Sequence, residues 1–310
     1  MKAGIKVFAP ASVANVACGF DILGFALESP GDEIIARPVD RKGLVISKIT
    51  GDQHRLPYAV EKNTAGLAAL KLMESLGMED FGVDLEIHKR MPFGSGLGSS
   101  AASAAGAVVA VNEILGRPLS RSELLPFAVL GEQVADGAYH ADNVGPSLLG
   151  GMLLIRDNST LDYYRIPVPK GLTAVVVYPH IEILTKDARD IISPTVDLKD
   201  HIRQSGNLAG LILGLSQSNF ELIAKSLRDY IIEPQRSKLI PHFAEVKETA
   251  FNQSALGCSI SGAGPSIFAL FDHSLRAEQA ALAMQSVFIR NHINADIFVS
   301  KINLEGTIIY

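Results

Sequence analysis

Cysteine is scarce in this chain of 310 residues, since Cys18 and Cys258 are its only two. Two cysteines cannot form the disulfide framework of a small secreted domain, so we expect a reducing compartment. Long apolar runs are missing as well. The first residues, MKAGIKVFAPA, lack the roughly 7–15 apolar residues of a signal peptide, and no window approaches the ~20 apolar residues of a membrane span. We therefore expect a soluble, cytoplasmic protein with no membrane partner.

Positive charge is not in excess, because 28 Lys and Arg residues face 33 Asp and Glu residues and leave a net charge of −5. A nucleic-acid surface needs a basic footprint, so the charge balance argues against a nucleic-acid partner. Hydrophobic residues make up 47% of the chain and charged residues 20%, the composition of an ordinary folded protein. This length exceeds what one small core needs, so we expect one large or two medium domains.

Strand-like and helical patterns follow one another without strict alternation, which predicts the α+β class. The segment GVDLEIHKR alternates apolar and polar residues and predicts a half-buried strand. Asn63 is placed to cap a helix that Gly77 ends, and Ser120 and Glu123 have the spacing of a capping box. The segment NFELIAKSLRDYII predicts one further helix.

The segment PFGSGLGSS, residues 92–100, places three glycines directly before an apolar helix. It is not a Walker A loop, since no Lys follows a glycine, and its G-x-G-x-G spacing differs from the dinucleotide fingerprint. Glycines nevertheless let backbone N–H groups converge on an anion, and Ser99 and Ser100 stand where the positive end of the helix dipole favours phosphate. The alternative is a flexible strand-to-helix turn that binds no ligand.

Glu132 breaks the apolar pattern of the helix that Ser120 opens. Helical periodicity places it between Leu125 and Ala128, inside the apolar arc. A buried carboxylate without a partner costs several kcal/mol, on the order of 2–7. Glu132 therefore either meets a partner there or extends to water from the edge of the arc.

Two further segments concentrate polar residues. YHADNVGPSLLGG brings His140, Asp142 and Asn143 together within four residues, which favours a polar site over a structural histidine. NVACGFDILG offers Asn15 and Asp21, although an Asp beside a glycine is also common in turns.

Three motifs, in order, resemble those of the GHMP kinases, the family of galactokinase, homoserine kinase and mevalonate kinase. PFGSGLGSSAASAAGAVVAVN resembles their phosphate-binding motif, APASVANVACGFDILGFAL their N-terminal motif and SISGAGPSIFAL their C-terminal glycine motif. The resemblance covers nearly the whole chain. It implies a GHMP kinase fold, with a ribosomal-S5-domain-2-like N-terminal domain over residues 1–165 that binds ATP and a ferredoxin-like C-terminal domain over residues 166–310.

The same resemblance implies a nucleotide site and a magnesium site. Mg²⁺ would be held by Ser100 and Glu132, which would also explain the position of Glu132. Asn63 is either a nucleoside contact or only a helix cap. The residues implied for ATP are Asn63, Pro92, Gly94, Ser95, Gly96, Leu97, Gly98, Ser99, Ser100, Ala101 and Ser103.

For the phosphoryl acceptor, the chain resembles the homoserine kinases within the family, although Ala17 and Cys18 replace the usual Gly-Pro pair. Arginine is otherwise most often a solvated surface cation. The resemblance implies that L-homoserine is bound by Asn15, Asp21, Thr185, Arg189 and Arg236, and that His140, Asp142, Asn143 and Arg189 lie at the reacting groups.

That reading predicts phosphorylation of L-homoserine, a step toward threonine, by a homodimer. The family implies no strong base at Asn143, so transfer would be direct. Two alternatives stay open: mevalonate or another small alcohol as the acceptor, or a silent regulator that only binds nucleotide.

Overall fold

The computed structural model describes residues 4–137 and 139–310, and its strands form two sheets. The strands are β1 (Ile5–Ala14), β2 (Leu23–Pro38), β3 (Leu44–Thr50), β4 (Val83–His88), β5 (Met152–Asp157), β6 (Asp162–Ile166), β7 (Thr173–Pro179), β8 (Gly257–Ile260), β9 (Ile267–Phe271), β10 (Ala295–Lys301) and β11 (Ile308–Ile309). The first sheet has the order β11-β1-β2-β4-β3, with β5 joined to β2 and β6 to β5. The second has the antiparallel order β10-β7-β9-β8. In the first sheet β3 and β4 pair in parallel.

Ten α-helices are described in these residues, together with short 3₁₀ turns at Val60–Lys62 and Ser237–Leu239. They are α1 (Thr64–Ser75), α2 (Ser99–Ile114), α3 (Arg121–Asp136), α4 (Val144–Leu149), α5 (Thr185–Asp190), α6 (Leu198–Ser216), α7 (Phe220–Ser226), α8 (Glu233–Arg236), α9 (Phe243–Asn252) and α10 (Ser274–Arg290). The predicted α+β class is confirmed.

Local sequence signals hold at several element ends. The Asn63 side chain accepts hydrogen bonds from Ala65 N and Gly66 N at the start of α1, and Ser120 and Glu123 form the predicted capping box of α3. The strand predicted in GVDLEIHKR is β4, and its residues alternate between buried and partly buried.

The helix predicted over NFELIAKSLRDYII is too long, because α7 ends at Ser226. The Asp229 carboxylate accepts hydrogen bonds from Ile231 N, Ile232 N and Glu233 N. A side chain that binds three following amides offers the backbone an alternative to helical hydrogen bonds. The chain therefore turns here and continues into α8.

The hydrophobic core consists of three clusters. Helices α1, α2 and α3 pack on each other and, with the first sheet, form the first apolar cluster. Helices α9 and α10 pack against strands of the second sheet. A third cluster joins the two sheets, and there Phe25 of β2 meets Phe268 of β9 edge to face, with ring centroids 6.1 Å apart. Loops from both halves of the chain thus reach one region.

The end of the chain returns to the first sheet, since Val7 of β1 pairs with Ile309 of β11. Strand β6 ends at Ile166 and β7 begins at Thr173, close to the predicted boundary at residues 165/166, which stays a prediction. Cys18 and Cys258 are both buried and free, and burial raises the pKa of each thiol to about 12. Among the described residues, no helix combines the length and apolar character needed to span a bilayer.

Candidate active site

A cavity of about 380 Å³ opens where the two halves of the chain meet, and it gathers nearly every site residue predicted from the sequence. The predicted residues that line it are Asn15, Asp21, Asn63, Pro92, Gly94, Ser95, Gly96, Leu97, Gly98, Ser99, Ser100, Ser103, Glu132, His140, Asp142, Asn143, Thr185, Arg189 and Arg236. Ala101 is the exception. Its side chain is fully buried in the first apolar cluster, so only its backbone is available to a ligand.

The glycine loop, residues 92–98, packs against the C-terminal glycine motif. A Cβ on Gly96 would meet Ser261 O and Gly264 O, so a side chain is excluded there by close approach of the backbone. Ser261 Oγ donates a hydrogen bond of 2.7 Å to Gly96 O. Asn15 Nδ2 donates a bond of 2.8 Å to Gly262 O, which ties the N-terminal motif to the same turn. The three sequence motifs therefore meet in one wall of the cavity.

The backbone amides of residues 94–101 form an unpaired run. Within the part of the chain that the structure describes, none of these N–H groups donates a hydrogen bond to a protein acceptor. The run ends in the first turn of α2, which has 16 residues and begins after Gly98. Unpaired amides at the positive end of a helix dipole favour an anion such as phosphate.

The structure contains a buried ion pair next to the glycine loop that the sequence did not predict. Asp32 of β2 and Lys89 pair with side-chain exposures of 0% and 2%. Lys89 Nζ also donates to Ser99 O and Ser103 Oγ, both at 2.7 Å, so its three protons are all used. The other Asp32 oxygen accepts from Arg90 N at 2.7 Å and Met91 N at 3.2 Å. One carboxylate thus holds the chain on both sides of the loop.

Oxygen groups from three helices line the side of the cavity that α1, α2 and α3 share. Ser100 Oγ of α2 donates a hydrogen bond of 3.1 Å to Thr64 Oγ1 of α1. Glu132 of α3 is partly buried, and it lines the cavity instead of lying within the core. Hydroxyl and carboxylate oxygens are the donor set that Mg²⁺ prefers, so these residues fit that ion.

Across the cavity, charged side chains form a hydrogen-bonded cluster. Arg189 donates two hydrogen bonds to the two carboxylate oxygens of Asp21, each 3.1 Å long. Arg189 Nη2 also lies 3.3 Å from His140 Nε2. Arginine cannot accept a hydrogen bond, so this nitrogen of His140 is the acceptor. His140 Nδ1 is then the protonated nitrogen and donates to Asp142 Oδ1, 2.8 Å away.

Arg236 is a buried cation, only 3% exposed. Its Nε donates to Ala188 O at 2.8 Å and its Nη1 to Gly262 O at 3.0 Å. Among the described residues it forms no ion pair with a carboxylate. Burial first, and the like charge of Arg189 second, lower the pKa of Arg236 to about 10. A buried guanidinium in a cavity wall without a counterion favours an anionic ligand.

The ring of Phe20 lies close to both arginines. The guanidinium carbon of Arg236 is 5.0 Å from the ring centroid and that of Arg189 is 5.5 Å from it. Both distances are within the range of a cation–π interaction. The preceding turn is left-handed at Asn15, Val16 and Ala17, with φ of 70°, 41° and 60°. Ala17 thus takes up the conformation for which the family pattern has glycine.

Asn143 is held by Ser12 and lies next to Gly98 of the glycine loop. Ser12 Oγ, which is fully buried, donates a hydrogen bond of 2.9 Å to Asn143 Oδ1, and Ser12 N donates to Leu97 O at 3.0 Å. Gly98 has a φ of 67°, and a Cβ on it would lie 2.9 Å from Asn143 Oδ1 and closer still to Ser12 Oγ. The amide oxygen of Asn143 is therefore held by serine, so its Nδ2 is the polar group left for a ligand.

Comparison with known proteins gives a consistent result along the chain. Residues 62–151 match the family model of the GHMP kinases N terminal domain, and residues 204–290 match that of the GHMP kinases C terminal. A homoserine kinase of Chlorobium phaeovibrioides is 47% identical over 97% of this chain and 98% of its own length. One from Chloroherpeton thalassium is 44% identical over 97% of each chain. The crystal structure of homoserine kinase from Cytophaga hutchinsonii superimposes with a TM-score of 0.98 at 48% identity, over 100% of this chain and 98% of that one.

Proposed function

The chain belongs to the GHMP kinase family, and on this premise we propose that it transfers the γ-phosphoryl group of ATP to the hydroxyl of L-homoserine. The observation that carries the proposal is the burial of the Arg236 guanidinium without a carboxylate partner among the described residues, in a cavity that is also lined by residues 94–100 with their unpaired amides. One cavity therefore offers a phosphate site and a carboxylate site. The relatives named homoserine kinase support this pairing.

The amides of residues 94–101 hold the ATP phosphates at the N-terminus of α2. Asp32 and Lys89 keep the two ends of the glycine loop together, so less freedom is lost when the nucleotide binds. Asn63 lines the cavity, but its Oδ1 caps α1 and its Nδ2 donates to Pro57 O at 2.9 Å, which favours the capping role over a nucleoside contact. Ser100 and Glu132 would hold Mg²⁺, which would supply positive charge against the ATP phosphates.

The acceptor half of the cavity binds a zwitterion. Arg236 and Arg189 bind the carboxylate of L-homoserine, and Asp21 binds its ammonium group. Asn15 and Thr185 also line the cavity, and Asn15 Oδ1 accepts from Asp21 N at 3.0 Å, so we assign both residues to the acceptor pocket. The substrate hydroxyl then points toward the end of the triphosphate.

Positioning and charge stabilisation supply most of the catalysis in phosphoryl transfer, whose transition state is loose. The hydroxyl oxygen bonds to the γ-phosphorus as the bond to the β–γ bridging oxygen breaks, and ADP leaves. Asn143 donates through Nδ2 and does not act as a base, because its oxygen accepts from Ser12. His140 is oriented by Asp142 and lies beside Arg189. The hydroxyl proton passes to an oxygen of the transferred phosphoryl group, and the phosphorylated product then releases it to water.

The experiment that tests the proposal is an ADP-release assay on the purified chain with L-homoserine, D-homoserine and mevalonate. We expect turnover with L-homoserine well above that with the other two alcohols. Faster turnover of mevalonate would show that mevalonate, and not L-homoserine, is the phosphoryl acceptor. ATP binding without turnover of any alcohol would favour the silent regulator.

The product, O-phospho-L-homoserine, places the enzyme in threonine biosynthesis. The family resemblance also supports a cytoplasmic location and a homodimer. Light scattering of the purified chain tests the second point, and a mass twice that of the monomer is expected.

A further inference from the structure

Asp21 and Arg189, which the proposed function assigns to the ammonium and carboxylate groups of the substrate, are paired with each other in this structure. Both oxygens of the Asp21 carboxylate accept from Arg189, at 3.1 Å each. The pair lies in the wall of the cavity, with side-chain exposures of 27% for Asp21 and 36% for Arg189. A ligand carboxylate that takes this edge of the Arg189 guanidinium must displace Asp21, and that displacement leaves both Asp21 oxygens open to an ammonium group.

We infer that L-homoserine binds by exchanging partners with this ion pair, so that Asp21 and Arg189 together select a zwitterion over alcohols with a single charge. The inference rests on the proposed function and deepens it. The substrate carboxylate takes the place of Asp21 on Arg189, while the released Asp21 carboxylate takes the substrate ammonium group. Asp21 and Arg189 each lose one partner, and each gains another that carries the same sign of charge as the partner lost.

An alcohol with one charge cannot complete this exchange. A carboxylate without an ammonium group leaves Asp21 without a cation beside a second anion, and an ammonium group without a carboxylate leaves Arg189 without a carboxylate partner close to Arg236. Breaking one side of a partly buried pair is costly because the remaining charge keeps only part of its solvation. The pair thus discriminates against singly charged alcohols such as mevalonate.

Phe20 keeps the arginines in place while the pair opens. Its ring lies 5.5 Å from the Arg189 guanidinium and 5.0 Å from that of Arg236. These contacts do not involve Asp21, so Arg189 stays facing the cavity after the carboxylate has moved away. The exchange therefore needs a movement of Asp21 and not of the arginine.

The test uses Asp21→Asn in the full chain, with three ligands measured by titration calorimetry. They are L-homoserine, γ-hydroxybutyrate, which lacks the ammonium group, and 3-aminopropanol, which lacks the carboxylate. We expect the variant to bind L-homoserine roughly tenfold or more weakly, because the ammonium group loses its carboxylate partner. It binds γ-hydroxybutyrate about fivefold more tightly, because Arg189 no longer has a competing carboxylate.

Two control variants separate partner exchange from other effects. Asp272→Asn removes a comparable Arg–Asp pair outside the cavity, where Arg276 Nη1 lies 3.1 Å and 3.3 Å from the two carboxylate oxygens, and should change neither affinity. Asp142→Asn removes a nearby negative charge that does not bind Arg189, and should give a smaller gain for γ-hydroxybutyrate. An equal gain in Asp142→Asn, or no gain in Asp21→Asn, would overturn the inference.

The outcome is separable from that of the proposed function. Turnover of L-homoserine by the unmodified chain tests the function. The ratio of the affinity for L-homoserine to that for γ-hydroxybutyrate, compared between the Asp21→Asn variant and the unmodified chain, tests the exchange. If turnover is absent and the ratio still shifts, only the function fails. If turnover is present and the ratio does not shift, only the exchange fails.

Discussion

Replacing Gly98 by Ala isolates the cost of a side chain at the point where the glycine loop meets Asn143. Gly98 has a φ of 67°, and a left-handed alanine costs roughly 1–2 kcal/mol. A Cβ there would lie 2.9 Å from Asn143 Oδ1 and closer to Ser12 Oγ, both of them in a buried wall. Overpacking of that kind adds roughly 1–3 kcal/mol. We therefore expect Gly98→Ala to lower the free energy of unfolding by about 2–5 kcal/mol.

Gly77→Ala is the matched control, since Gly77 has a φ of 63° and nothing within 4 Å of its Cβ position. Urea denaturation should show a loss of roughly 1–2 kcal/mol for this variant, from backbone strain alone. In the ADP-release assay, Gly98→Ala should lose on the order of a hundredfold in kcat/KM, because Asn143 is displaced, and Gly77→Ala should match the unmodified chain. Equal effects of the two variants on stability and on kcat/KM would refute the steric role of Gly98.

Three further predictions follow from other contacts. Asn63→Ala should lower the free energy of unfolding by about 1–2 kcal/mol in urea, whereas Asn63→Ser keeps a capping oxygen and should lose less; both variants lack the Nδ2 bond to Pro57 O, so equal stability of the two would contradict the cap. Ser12→Ala should lower kcat, and adding Asn143→Ala should lower it no further than Asn143→Ala alone, since the serine acts through the amide; additive effects would contradict this. Glu132→Gln should raise the Mg²⁺ concentration needed for half-maximal activity, and an unchanged Mg²⁺ dependence would remove Glu132 as a ligand.

Local signals predicted the elements that surround the glycine loop. The cap at Asn63, the capping box at Ser120 and the strand that precedes the glycine loop depend on residues only a few positions apart, and all three are confirmed. Helix α2, which the sequence predicts only as apolar, is buried nearly all round between the first sheet and its neighbouring helices. Periodicity cannot reveal a helix that is covered on every side.

Patterns within short segments do not predict contacts between residues that lie far apart in the sequence. Asp32 and Lys89 are 57 positions apart, and neither is part of a motif that predicts a buried pair. Ser12 and Asn143 are 131 positions apart, so only the fold reveals that one orients the other. The resemblance to a family supplied what periodicity could not, because it brought Arg236 into the site although an isolated arginine is usually exposed.

The most direct measurement is a crystal structure with a non-hydrolysable ATP analogue and L-homoserine bound. We expect phosphate oxygens within hydrogen-bond distance of amides in residues 94–101, and the amino-acid carboxylate on Arg236 and Arg189. Phosphates bound away from that run of amides, or a carboxylate that leaves Arg236 without an anionic partner, would contradict the proposed division of the cavity.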